Sequence, residues 1–182
     1  MTTSTQTRVP LDLLLTDPEG RPVRLGDALA ADLTVVQLVR YFGCLPCQEW
    51  LVELDRSLPS LDAGPRTVGG MAIGGSADYQ AQWLRDERGV ALPLLLDPEH
   101  QVRDVVGAAK PLGWRMMNPK GAAAYARSLR HGYRPQGITR DTVRSPGVLV
   151  LDRDGCVRWT HVGTRIGDYP PLDTVRAALA AL

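Results

Sequence analysis

The chain has too few cysteines for a disulfide framework: three in 182 residues, Cys44, Cys47 and Cys156. It also lacks an apolar run behind its N-terminus. Met1 to Pro10 is polar and Thr-rich with a single basic residue, so no secretory signal is expected, and no later run reaches transmembrane length. The expected address is the cytoplasm, where thiols stay reduced and a close Cys pair is catalytic, redox-sensing or metal-binding. A charge surplus is missing too. A net charge of +1 gives no reason to expect nucleic acid or an anionic membrane as a partner. The basic residues are almost all arginine, Lys110 and Lys120 being the exceptions, and they are scattered, as the coding bias of a GC-rich genome would leave them. Repeats and low-complexity linkers are absent as well. What remains, 44% hydrophobic and 23% charged, suits one globular domain with a sizeable core.

Residues 1–8 read as a flexible tail, and 9–182 as the single domain. Val9 to Leu15 is β-competent, and Asp17-Pro18-Glu19-Gly20 is a turn before Pro22-Val23-Arg24-Leu25, giving an N-terminal hairpin. Leu33 to Val39 suits a buried central strand. Trp50, Leu51, Leu54 and Leu58 then fall on one face of a helix from Gln48. Further elements are a strand at Thr67 to Ile73, a helix from Ser76 (a plausible cap) to Arg88 ending at Gly89, a short strand at Leu92 to Leu96 and a helix at Pro98 to Val106. Residues 107–142 form a Gly/Pro-punctuated insert with a helical middle around Ala122 to Leu129. A hairpin crosses Asp152-Arg153-Asp154-Gly155, and Leu172 to Leu182 closes the chain as a helix. This order predicts an α/β fold: a central mixed β-sheet flanked by helices, with a helical insert before the last hairpin.

Cys44-Leu45-Pro46-Cys47 falls in the loop beyond the carboxyl end of the first core strand, where α/β sheets place their sites. A Cys-x-x-Cys at a helix start sets both sulfurs beside unpaired amides and the positive end of the helix dipole. That environment lowers a thiol toward neutrality and supplies a nucleophilic thiolate. Pro46 suits the first turn because its missing N–H has no intrahelical acceptor there. Half a zinc site is one competing reading, but Cys156 and His161 lack the second close pair such a site needs. Two inert buried thiols are another. The strand–CxxC–helix context outweighs both. Pro146, after Ser145 and before the strand Gly147-Val148-Leu149-Val150-Leu151, stands where thioredoxin-fold proteins carry a cis-proline, so a cis peptide is expected.

The segment Val39-Arg40-Tyr41-Phe42-Gly43-Cys44-Leu45-Pro46-Cys47-Gln48-Glu49 resembles the active segment of the peroxiredoxin-like AhpC/TSA proteins. Leu94-Leu95-Leu96-Asp97-Pro98, Leu129-Arg130-His131-Gly132-Tyr133 and the tail Gly167-Asp168-Tyr169-Pro170-Pro171-Leu172 narrow the resemblance to the branch that includes prostamide/prostaglandin F synthase. It implies a thioredoxin-like fold, redox-active Cys44 and Cys47 and no bound cofactor. It also implies an external dithiol reductant such as thioredoxin, and a small organic peroxide, endoperoxide or disulfide as substrate. A homodimer is left open. Ordinary peroxiredoxins carry threonine where Cys44 stands and their peroxidatic cysteine at the place of Cys47. This chain therefore lacks the hydroxyl that helps orient a peroxide oxygen, but gains a resolving partner. The resemblance leaves open which sulfur attacks; Cys44 is expected to act on disulfides and Cys47 on peroxides. A redox-sensing binding protein, or a pathway-specific enzyme on the same fold, is the alternative function.

Arg40 and Arg144 are candidates to approach the thiolate and to stabilise a developing oxyanion. Glu49, Trp50, His161 and Cys156 read as structural residues, and His131 as a candidate pocket residue. An insert of this length is expected to cover the active site. Trp114, Met116, Met117 and Tyr133 would then give it an apolar inner face, extra core packing being the alternative for them.

Overall fold

The computed structural model describes residues 7–61, 63–116 and 118–182; the first six residues of the expected tail lie outside them, as does Met117. Six residues, Leu33–Leu38 (β3), are buried on both faces and form the centre of the sheet. Their apolar, β-branched run has no polar face to offer water, which is the composition of a central strand. Val68–Gly74 (β4) pairs parallel to β3 with Val36 opposite Met71, and Gly147–Asp152 (β6) pairs antiparallel with Val36 opposite Leu149. Beyond β4 lie Leu94–Leu96 (β5) and then the hairpin of Leu14–Thr16 (β1) and Pro22–Arg24 (β2). Val157–Val162 (β7) closes the other edge against β6. The sheet thus has seven strands in the order β2-β1-β5-β4-β3-β6-β7, with β3, β4 and β5 parallel.

The period-two alternation of side chains divides the core into two layers. Val35, Ala72, Val148 and Val150 face Leu45–Ser57 (α2), Asp78–Arg88 (α3) and Leu172–Ala180 (α6). Val36, Leu38, Met71, Leu149 and Leu151 face the short helices Leu25–Ala28 (α1) and Gln101–Val105 (α4). Gly70, in the Gly pair that weakens the strand signal, has a packing reason: a Cβ there would stand 2.9 Å from Leu92 Cδ2 and 3.2 Å from Leu58 Cδ1.

The mixed sheet, the two hairpins and the helical insert are as expected, and the differences have local causes. Arg8 bridges to Cys156 and Thr7 accepts a bond from the Val157 amide, so these two residues of the expected tail pair with the last hairpin. The helix expected from Ser76 begins at Asp78, with Ala77 in the N-cap position and no side-chain cap. Helix α4 starts later than Pro98 because Asp97 turns back, both carboxylate oxygens accepting from the amides of Gln101 and Val102. Within the insert, Pro119–Arg130 (α5) is the expected helix, capped by Asn118. Among the described residues, no helix is long and apolar enough to cross a membrane.

Candidate active site

Strand β3 ends at Leu38 and hands the chain to Val39–Gly43, all buried, which delivers Cys44 to the N-cap of α2. Cys44 is extended (φ −74°, ψ 121°), its carbonyl accepting the Gln48 amide at 2.9 Å. Pro46 sits in the first turn and Cys47 one residue deeper, its carbonyl bonded by Gln37 Nε2 at 3.1 Å. Both cysteines are unbridged and buried, Cys44 at 0% and Cys47 at 1% exposure, so neither sulfur meets bulk water.

Arg40 is itself buried at 1% exposure. Its Nη1 lies 3.7 Å from Cys44 Sγ, its Nε donates to the Arg144 carbonyl at 3.2 Å, and its Nη2 donates to the Thr142 carbonyl. Among the described side chains no carboxylate pairs with this guanidinium. A buried charge of that kind needs a counter-charge, and the Cys44 sulfur is the group in place to supply it.

Two tyrosines missed in the sequence complete the surroundings of the sulfurs. Tyr125, on the insert helix, donates from its hydroxyl to Cys44 Sγ at 3.7 Å and lies 3.4 Å from the Tyr41 hydroxyl. Tyr169, in the Gly-Asp-Tyr-Pro-Pro-Leu tail, stacks on Trp50 with ring centroids 5.3 Å apart and reaches the Leu38 carbonyl and the Cys47 thiol. Trp50 Nε1 donates to the Pro170 carbonyl at 2.8 Å, so the tail motif is docked on the active helix.

The two thiols are driven apart. Burial pushes Cys44 up, but the hydrogen bond of the Cys47 thiol, the Arg40 charge, the Cys47 amide and the Tyr125 hydroxyl outweigh it and bring Cys44 down to about 6. Burial and then the negative charge on Cys44 hold Cys47 well above the ordinary thiol range, and Arg40 offsets this only in part. The pair therefore holds one thiolate and one thiol. Tyr125 is raised by burial and by the same Cys44 charge, so it remains a phenol.

The other residues singled out in the sequence fall as follows. The Arg144 guanidinium turns away, Nη1 donating to the Ala109 carbonyl at 2.8 Å, while its main-chain oxygen receives Arg40. The cis peptide expected at Ser145–Pro146 is a correction, because no described peptide bond is cis. The carbonyls of both residues are fixed in the trans arrangement: Ser145 O accepts from Arg103 Nη1 at 2.5 Å and Pro146 O from the Gly163 amide at 2.8 Å. Arg103, which no sequence pattern distinguished, is buried and also bonds the Val39 carbonyl at 2.5 Å. Glu49 and His131 meet: the Glu49 carboxylate accepts from Ser128 Oγ at 2.6 Å, contacts His131 Nδ1 at 2.6 Å and pairs with Arg127, clamping α5 onto α2. They border a cleft of about 730 Å³ whose lining includes Pro46, Trp50, His161 and Tyr169. His161 Nε2 lies 3.0 Å from the Asp168 carbonyl, and Cys156 sits apart with Arg8 Nε at 3.4 Å from its sulfur. Among the described residues no cluster of His, Cys, Asp and Glu could hold a metal.

The insert does cover the site, but with other residues than expected. Trp114 is 82% exposed, Tyr133 lies beneath Arg88 with 4.6 Å from Cζ to the ring centroid, and the expected role of Met116 and Met117 falls outside the described side chains. The cover is made by Tyr125, by the Thr142 carbonyl on Arg40 and by Gln136, whose amide approaches the Gly43 carbonyl at 3.5 Å. A Cβ on Gly43 would stand 2.7 Å from Gln80 Nε2 and 2.9 Å from Gln136 Cβ, which is the close approach that requires glycine there.

Residues 6–160 match the AhpC/TSA family. The chain belongs to that family. Solved structures share its fold across nearly the whole length. Peroxiredoxin Q of Xanthomonas campestris is 17% identical, with 94% of this chain and 91% of that one covered at a TM-score of 0.64. Peroxidoxin BcpB of Mycobacterium tuberculosis is 17% identical over 98% and 97%, at 0.66. A peroxiredoxin-like protein of Aquifex aeolicus is 12% identical over 97% and 85%, at 0.64. No curated protein matches the chain. The fold is thus the expected thioredoxin-like one and the family one of thiol-dependent oxidoreductases; the narrower prostamide branch rests on the insert and tail motifs alone.

Proposed function

We propose that this family member reduces a small organic peroxide with Cys44 as the attacking sulfur and Cys47 as the resolving one. The support is the pairing of a buried Arg40 guanidinium with Cys44, which otherwise leaves that charge without a counter-ion among the described side chains. This departs from the expectation that Cys47 attacks peroxides, since Cys47 is the thiol that keeps its proton. The Cys44 thiolate attacks one peroxide oxygen; the O–O bond breaks, an S–O bond forms, and the alcohol leaves with a proton. The Cys47 thiol then attacks the resulting sulfenic acid, giving a Cys44–Cys47 disulfide and water. A dithiol protein such as thioredoxin restores both thiols, which suits a reducing compartment such as the cytoplasm. Because both sulfurs are covered, substrate and reductant enter when the insert shifts from Arg40 and Gly43.

Turnover of cumene hydroperoxide with thioredoxin, thioredoxin reductase and NADPH tests this reading. The wild-type chain should consume NADPH, and Cys44→Ser and Cys47→Ser should each abolish it. A wild-type chain inert toward hydroperoxide but cleaving a model disulfide would replace the peroxide assignment with disulfide reduction.

A further inference from the structure

The peroxide step leaves a need that Arg40 and the cysteines do not meet. A peroxide oxygen departing as alkoxide or hydroxide is a strong base, so a proton must reach it as the O–O bond breaks. Arg40 is held by two carbonyls and keeps its protons. The Cys47 proton leaves with the hydroxide of the following step.

We propose that Tyr125 is the general acid of this reaction, delivering its phenolic proton to the oxygen that leaves as Cys44 attacks. The inference rests on the peroxide reading above. Tyr125 projects from the insert helix, and its hydroxyl already touches the reacting atom, 3.7 Å from Cys44 Sγ. A peroxide seated on that sulfur takes over the contact. The Tyr41 hydroxyl, 3.4 Å away, stands behind it and can support the phenolate that forms. Burial keeps the phenol protonated until the transition state, where the developing negative charge draws the proton across. The insert therefore supplies from outside the active loop a hydroxyl in the place of the missing threonine. The balance is complete: thiolate, hydroperoxide and phenol give sulfenic acid, alcohol and phenolate. Sulfur loses two electrons and the peroxide gains them, and the phenolate regains its proton from solvent.

A comparison of leaving groups separates this role from a structural one. Reduced wild-type chain and Tyr125→Phe are mixed at about pH 8 with either cumene hydroperoxide or methyl methanethiosulfonate, and loss of the thiolate is followed by stopped flow. The sulfinate released by the second reagent leaves without a proton. Tyr125→Phe should lower the hydroperoxide rate about a hundredfold while the thiosulfonate rate stays within about threefold. A fluorinated tyrosine at position 125, which keeps ring and hydroxyl, should restore the hydroperoxide rate. Parallel losses with both reagents, or no loss with either, overturn the acid role while leaving the peroxide reading intact. A wild-type chain that reacts with the thiosulfonate but not with hydroperoxide overturns both.

Discussion

Arg40 Nη1 lies 3.7 Å from Cys44 Sγ, in a site where both residues are at most 1% exposed. A permanently charged guanidinium in such a place stabilises the thiolate because each charge removes the other's desolvation cost. Replacing Arg40 with Met keeps the bulk and removes the charge. The ultraviolet thiolate titration of Cys44 should then move up from about 6. If the thiol returns to a free value of about 8.5, its thiolate fraction near pH 7 should fall about thirtyfold, and its alkylation by iodoacetamide should slow by a smaller factor because the more basic thiolate is the better nucleophile. An unchanged titration would show that Arg40 is a structural arginine.

The same shift couples redox chemistry to stability. Cys44 falls to about 6 in the folded chain, against about 8.5 when unfolded, so its contribution is fully present above about 8.5 and is lost as pH falls through 6. That difference corresponds to about 3 kcal/mol. Cys47 runs the other way: its folded value is raised, so stability declines as pH climbs past the unfolded value of about 8.5. Urea unfolding under dithiothreitol should therefore give stability that rises from about pH 6 to about pH 8 and falls beyond about pH 9. Cys44→Ala should flatten the rise. A variant with the wild-type slope would place the titrating group elsewhere.

The cysteine pair, its strand–helix setting, the sheet and the covering insert were legible because each has a short-range signature: a spacing, an apolar run, a turn. The groups that tune the sulfurs were not. Tyr125 reaches Cys44 across 81 residues of chain, and Arg103 joins carbonyls 42 and 64 residues away. Such contacts depend on how helices dock, which no local pattern encodes. Arg40 was visible because it precedes the motif on the same strand exit. Arg144 was a candidate on the same kind of argument, yet only its carbonyl serves the site, since its guanidinium turns to Ala109.

Arg103 is the joint between the end of β3 and the start of β6. Arg103→Met should leave the Val39 and Ser145 carbonyls buried without donors, costing about 2–4 kcal/mol in urea unfolding. Loss of less than about 0.5 kcal/mol would mean that the two carbonyls find other partners.

Gly43 marks where the active loop and the insert touch. Gly43→Ala forces a methyl group against Gln80 and Gln136, an overpacking that costs about 1–3 kcal/mol. Hydrogen exchange should show faster opening of residues 133–139 and readier alkylation of Cys44. If exchange in that segment is unchanged, the cover does not depend on this contact.

Cys44 strikes the peroxide first, and the order of attack can be read directly. Reduced Cys47→Ser and Cys44→Ser variants should each be given one equivalent of cumene hydroperoxide with dimedone present and analysed by peptide mass spectrometry. The Cys47→Ser chain should carry dimedone on Cys44, formed at a rate close to that of wild-type oxidation, and Cys44→Ser should remain almost unlabelled. Rapid labelling of Cys47 in the Cys44→Ser chain, with Cys44 unlabelled in its counterpart, would contradict the account and make Cys47 the attacking sulfur.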